Sequence, residues 1–191
     1  MISLPLASCT TTTLTSSWSD TNYGPRPLSK LLVIGIAESA GQRREFEDKF
    51  VAQLQAQGRQ AISSATLLSH EDELSKEAIQ RKIEGTDIDG IVVTHLIGTQ
   101  REERYNPPTT HIMPAYHGLY GYYHSVYDYV HTPGYYSTHV TVRLETNLYD
   151  AETAALVWSA QSQTLDPASA SEVMDSVIRE VVKDLRAKQF I

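Results

Sequence analysis

The run Leu31-Leu32-Val33-Ile34-Gly35-Ile36-Ala37 is the longest apolar stretch in the chain, and it constrains the fold more than any other feature. It is far shorter than the roughly 20 residues needed to cross a bilayer as a helix. It also lacks the alternation of a strand with one wet face, so it reads as a strand covered on both sides, as in a parallel sheet flanked by helices. The sequence that follows supplies the covering elements. Phe46, Phe50, Val51 and Leu54 recur at helical spacing, which predicts a helix over about Gln42–Gln57 with Gly58 just past its end. A short second strand is expected near Ala61–Leu67. Ser75 then caps a second helix, with Leu74 and Ile79 placed as a hydrophobic staple and an end near Gly85. Ile88 and Ile91-Val92-Val93 open a third strand. The order β-α-β-α-β implies parallel strands joined by right-handed crossovers.

Further on, Val140, Val142, Leu144 and Leu148 alternate with Thr141, Arg143, Glu145 and Asn147, the pattern of a strand with one wet face. Asp150–Ala154 turns the chain back into Leu156-Val157-Trp158, which completes an antiparallel hairpin. Ser169 and Glu172 form a capping box, and Val173, Val177, Ile178, Val181 and Leu185 make the apolar stripe of a C-terminal helix. The expected class is therefore α/β with an α+β tail: β-α-β-α-β, then a hairpin and a helix, in a mixed sheet of two or three layers. At 191 residues the chain fits one core. Residues 1–29 read as a polar tether, with an edge strand around Leu14–Trp18. Residues 30–191 read as a single domain carrying an insertion at about 105–139.

Charge and cysteine usage restrict the partners. A formal net charge of -7 with interspersed signs gives no electrostatic footprint for nucleic acid. The single cysteine, Cys9, has no internal disulfide partner. It closes Leu6-Ala7-Ser8-Cys9, which resembles the lipobox of bacterial lipoproteins, and a polar Thr/Ser stretch follows. The resemblance implies acylation at Cys9 after removal of a signal peptide, and hence a membrane partner reached through a lipid anchor. Stable anchoring generally takes more than one acyl chain, a condition that the multiple acyl chains implied by the resemblance, palmitate among them, would satisfy. Met1–Pro5 holds no basic segment and too few apolar residues for a leader, so export is expected to depend on residues upstream of Met1.

Several segments together resemble a family of uncharacterised bacterial lipoproteins: Cys9 at the head, Trp18 after it, Lys30-Leu31-Leu32-Val33-Ile34-Gly35, and Arg143–Asp150 followed by Leu156-Val157-Trp158-Ser159. The resemblance implies a fold similar to the curli-secretion lipoprotein and to the domain that precedes the Tol-system propeller. It carries no activity. In that family the hairpin turn ends in glycine; here Ala154 stands in its place, so a left-handed conformation at that position would be strained. By analogy with lipoprotein sorting, Thr10 rather than Asp after the lipidated cysteine implies the outer membrane, facing the periplasm.

Two segments are candidates for chemistry. The turn Gly35–Gly41 leads into a helix where a nucleotide-binding fold would hold phosphate, yet it has neither the clustered glycines nor the Lys-hydroxyl pair of the known fingerprints. Glu38 places negative charge there, partly offset by Arg43 and Arg44. The insertion holds nine of the eleven tyrosines and five of the seven histidines. His117, His124 and His131 are seven residues apart, which on a helix separates successive rings by about 10 Å along the axis, too far for one metal ion without a bend. They remain the weak metal-ligand candidates, for a metal- or small-ligand-binding alternative. Tyr116, Tyr120, Tyr123 and Tyr127 are the partner-contact candidates, because tyrosine offers large amphipathic area at low entropic cost. No nucleophile elbow or His-Glu-x-x-His motif occurs, and Glu102, Glu103 and Asp128 read as solvated acids. The expectation is a non-enzymatic envelope lipoprotein without cofactor, which binds an envelope component or a copy of itself through the Tyr/His-rich segment.

Overall fold

A computed structural model describes residues 11–24, 26–67, 76–107 and 134–191. The chain divides into two units, Met1–Thr99 with Thr141–Ile191, and Gln100–Val140. Among the described residues the element order is β1 (Thr11–Ser19), β2 (Lys30–Ile36), α1 (Ala40–Ala56), β3 (Gln60–Ser63), α2 (Ser64–Leu67), α3 (Lys76–Ile83), β4 (Gly90–Asn106), β5 (Tyr135–Asp150), β6 (Leu156–Leu165) and α4 (Ala170–Ala187). The strands form one mixed sheet in the order β1-β6-β5-β4-β2-β3. β2 is parallel to both β3 and β4, and β6 is antiparallel to both β1 and β5.

The two-sided burial expected of the apolar run is what β2 shows. Leu31 and Val33 join the main core with Phe46, Phe50 and Leu54 of α1 and the α4 stripe. Leu32 and Ile34 point the other way, into a smaller cluster with Ile88 and the partly buried Ile79 and Ile83 of α3. The register explains the division: Leu32 pairs with Ile91 and Ile34 with Val93, while Val33 pairs with Val92. Because side chains alternate along a strand, each β2–β4 pair feeds the same layer. Three layers therefore exist over β2 and β4.

Helix ends are encoded locally. Ser39 caps α1 by accepting from the Gln42 amide at 3.3 Å. At its other end the Arg59 amide reaches Leu54 O and the Gly58 amide reaches Gln55 O, a Schellman closure with Gly58 at φ 77°. α4 starts at the expected Ser169, which accepts from the Glu172 amide at 3.1 Å, while the Glu172 carboxylate accepts from the Ala168 amide. The Trp158 side chain is fully buried and donates from Nε1 to Asp184 of α4 at 2.8 Å.

Three expectations are corrected. The edge strand is longer than Leu14–Trp18 and spans Thr11–Ser19, within the segment read as a tether; its inward Thr12 is buried and donates to Ser176 Oγ of α4 at 2.7 Å. The second strand stops at Ser63, and Ser64–Leu67 is a short helix, because the Ala65 amide turns to donate to a buried carboxylate rather than to a neighbouring strand. The third strand begins at Gly90, two residues after Ile88. The expected cap at Ser75 lies outside the described residues.

The hairpin turn after β5 is organised by Asp150, which is buried. Its Oδ1 accepts from the Glu152 and Thr153 amides and the Thr153 hydroxyl, and its Oδ2 from the Tyr23 hydroxyl at 2.9 Å. This geometry puts Ala154 at φ 57°, the left-handed conformation in which an alanine is strained. That region costs an L-residue about 1–2 kcal/mol, against the roughly 0.5–1 kcal/mol entropic cost of glycine. Ala154→Gly is therefore expected to stabilise the protein by about 0.5–1 kcal/mol, read as a higher urea midpoint at unchanged m-value.

Candidate functional site

In open α/β sheets, ligands bind beyond the carboxyl ends of the parallel strands. Here β2 ends at Gly35-Ile36, β3 ends at Ser63 and passes directly into α2, and both ends surround one side chain, the fully buried Glu47 of α1. Glu47 Oε1 accepts from the Gly35 amide at 2.9 Å, Ser64 Oγ at 2.6 Å and Arg43 Nε at 3.1 Å. Its Oε2 accepts from Ser63 Oγ at 2.7 Å and the Ala65 amide at 2.8 Å. Arg43 also donates from Nη2 to Ser64 Oγ at 2.8 Å. Gly35 makes the approach of α1 possible, since a Cβ there would lie 3.1 Å from Phe46 Cδ1 and 3.5 Å from Glu47 Cγ. Burial alone would raise the Glu47 pKa; the Gly35 amide, the two serine hydroxyls and the Ala65 amide outweigh it and hold the carboxyl below its ordinary value. Glu38 of the same turn is exposed, and the buried negative charge beside the strand ends is that of Glu47.

At the opposite ends of these strands lies a groove of about 410 Å³ with an acidic lining that includes Glu84, Asp87, Asp89, Asp150 and Glu152, and with Arg26 at its margin. Several of these acids hold the chain together. Asp89 accepts from the Ser29 amide and hydroxyl and from the Lys30 amide, Asp87 pairs with the Lys30 ammonium, and Asp150 organises the hairpin turn. The Asp150 carboxyl is also held below its ordinary value: burial raises it, but the Thr153 donors and the Tyr23 hydroxyl prevail. Burial and the bond to Asp150 push the Tyr23 phenol up to about 12.

In the unit Gln100–Val140, the described residues present three exposed tyrosines, two of them in ring contact. Tyr105 of β4 and Tyr135 and Tyr136 of β5 are 52%, 64% and 73% exposed, and the Tyr105 and Tyr136 rings lie with centroids 5.1 Å apart. Asn106 Nδ2 donates to Ser137 Oγ at 2.9 Å, which ties the two strands together beside the rings. Glu102 and Glu103 are exposed. Cys9, Tyr116, Tyr120, Tyr123, Tyr127, His117, His124, His131 and Asp128 lie outside the described residues. Among the described residues no group of three or more His, Cys, Asp or Glu is arranged to hold a metal ion, and no helix is long and apolar enough to cross a membrane.

Glu47 was not singled out by sequence, although it left a trace there: it sits beside Phe46 on the apolar stripe of α1, four residues after Arg43. The linkage has a definite sign. Glu47 and Asp150 titrate lower in the folded than in the unfolded chain, so their stabilisation is complete above about pH 5 and is lost as pH falls through the folded values. Glu47→Gln sets an amide nitrogen against donors; it is expected to cost about 2–4 kcal/mol at pH 7 and to flatten the acid limb of a urea-midpoint profile from neutral to acid pH. An unchanged acid limb would contradict the assignment.

No protein-family model matches the chain, and no curated protein matches it in sequence. Solved structures do resemble it. The PelC dodecamer from Paraburkholderia phytofirmans aligns at a TM-score of 0.50 with 14% identity, covering 92% of this chain and 97% of the PelC chain. A point variant of that protein in another crystal form gives 0.48, with 14% identity over 91% and 95% of the two chains. Lipoprotein GNA1162 from Neisseria meningitidis gives 0.45, with 11% identity over 83% of this chain and 99% of that one. At these identities the likeness is one of fold, and the fold shared with PelC is the mixed α/β sheet described above.

Proposed function

We propose that this chain is a non-enzymatic envelope lipoprotein, anchored through Cys9 at the periplasmic face of the outer membrane, that engages another envelope component or a second copy of itself through its tyrosine-rich segment. The observation that carries the binding half is the exposed ring pair Tyr105 and Tyr136 on two neighbouring strands, with Tyr135 exposed beside it in sequence. Large rings held at a surface by a strand ladder lose little entropy on docking, which is why tyrosine is enriched where proteins meet. The anchoring half is supported by Leu6-Ala7-Ser8-Cys9 and the polar residues after it. PelC, which shares the fold, forms a dodecamer, and this makes a second copy of the chain the first partner to test.

Two experiments address the halves separately. Protein recovered from native membranes is expected to carry acyl mass on Cys9 and to become soluble as Cys9→Ser; an unmodified thiol ends the anchoring reading. For binding, deletion of residues 111–131, or joint replacement of Tyr105, Tyr135 and Tyr136 by serine, is expected to abolish crosslinked capture of partner or self while leaving the thermal midpoint within a few degrees. Undiminished capture in both variants ends the contact reading.

A further inference from the structure

The donors around Glu47 come from four elements: the Gly35 amide from the end of β2, Arg43 from α1, the Ser63 hydroxyl from the end of β3, and the Ser64 hydroxyl and Ala65 amide from the start of α2. Together they place three donors on one carboxylate oxygen and two on the other. A carboxylate offers about four lone-pair sites, so the arrangement saturates it. All five contacts fall between 2.6 and 3.1 Å, and the carboxylate is fully buried. Amides, hydroxyls and a guanidinium converging beyond the ends of two parallel strands are the equipment of an anion receptor. In this chain the anion is covalently part of the receptor.

We infer that Gly35, Arg43, Ser63, Ser64 and Ala65 form a carboxylate-binding cradle whose resident ligand is the chain's own Glu47, so that this βα turn is closed to anionic ligands from solution. The tether explains the closure. Glu47 is delivered by a helix fixed in place by Phe46 against Gly35 and by Phe50 in the core, so it competes at a high effective concentration with any free anion. The inference uses none of the residues on which the proposed function rests, and it stands or falls independently of them. Glu47→Ala removes Cγ and the carboxylate, a volume and shape matched by one acetate ion.

The test compares wild type and Glu47→Ala by thermal melting in sodium acetate, sodium phosphate and sodium chloride at equal ionic strength and pH 7. Acetate is expected to raise the variant's midpoint by roughly 3–6 °C for each tenfold increase above its Kd, beyond any effect of chloride, and to leave the wild type where chloride leaves it. Should the variant not fold in chloride, a cooperative melt recovered by refolding in acetate supports the cradle, and failure in every salt overturns it. An acetate effect equal to that of chloride, or equal in variant and wild type, also overturns it. As a second readout, the Gly35 and Ala65 amide resonances of the wild type should not move when phosphate or acetate is added, and saturable shifts there would show the turn to be open.

Discussion

The packing of β2 between two apolar clusters governs the rest of the molecule. A strand buried on both faces has no wet side on which to leave a polar group, so its neighbours must supply matching apolar surface on each face. α1 and α4 do so on one side and α3 on the other. Near the end of β2, at Gly35, the apolar solution runs out. The Gly35 amide needs an acceptor away from water, and Glu47 provides one. The buried carboxylate is thus a consequence of how the central strand ends.

The same rule explains the polar seams elsewhere. Thr94 and Thr146 share a hydrogen bond of 3.0 Å between β4 and β5, and Thr12 links Thr164 of β6 to Ser176 of α4 at 2.7 Å each. Among the described residues, every buried side-chain nitrogen or oxygen has a partner. A polar group buried with its partners costs little, whereas one left alone costs about 1–3 kcal/mol. The sheet can therefore carry threonines inward without losing stability to them.

How much of this was legible differed by the range of the interaction involved. Gly58 and Ser169 act within a turn of their own position, so these helix ends could be read from spacing, as could the α4 stripe. Strand order could not, because pairing β1 with β6 rather than with β2 leaves no mark within either segment. β1 itself was only half visible: its Thr and Ser residues look like a linker, and only Thr12 and Leu14 turn inward. Glu47 was missed for a related reason. An Arg and a Glu four apart on a helix usually read as a solvated pair, and what makes this one different is contributed by β2 and by residues 63–65, more than ten positions away. The exposed tyrosines were anticipated by composition, while the particular residues named for contact lie beyond those the structure describes.

The start of β1 at Thr11 bears on how an acylated chain would sit. Only Thr10 stands between it and Cys9 in sequence, and two steps of at most about 3.6 Å each span roughly 7 Å. Were Cys9 acylated, as proposed, the start of β1 would stay within that distance of the anchor. A body held so at a lipid surface would meet its copies within a plane, where encounters become a matter of surface density rather than of volume.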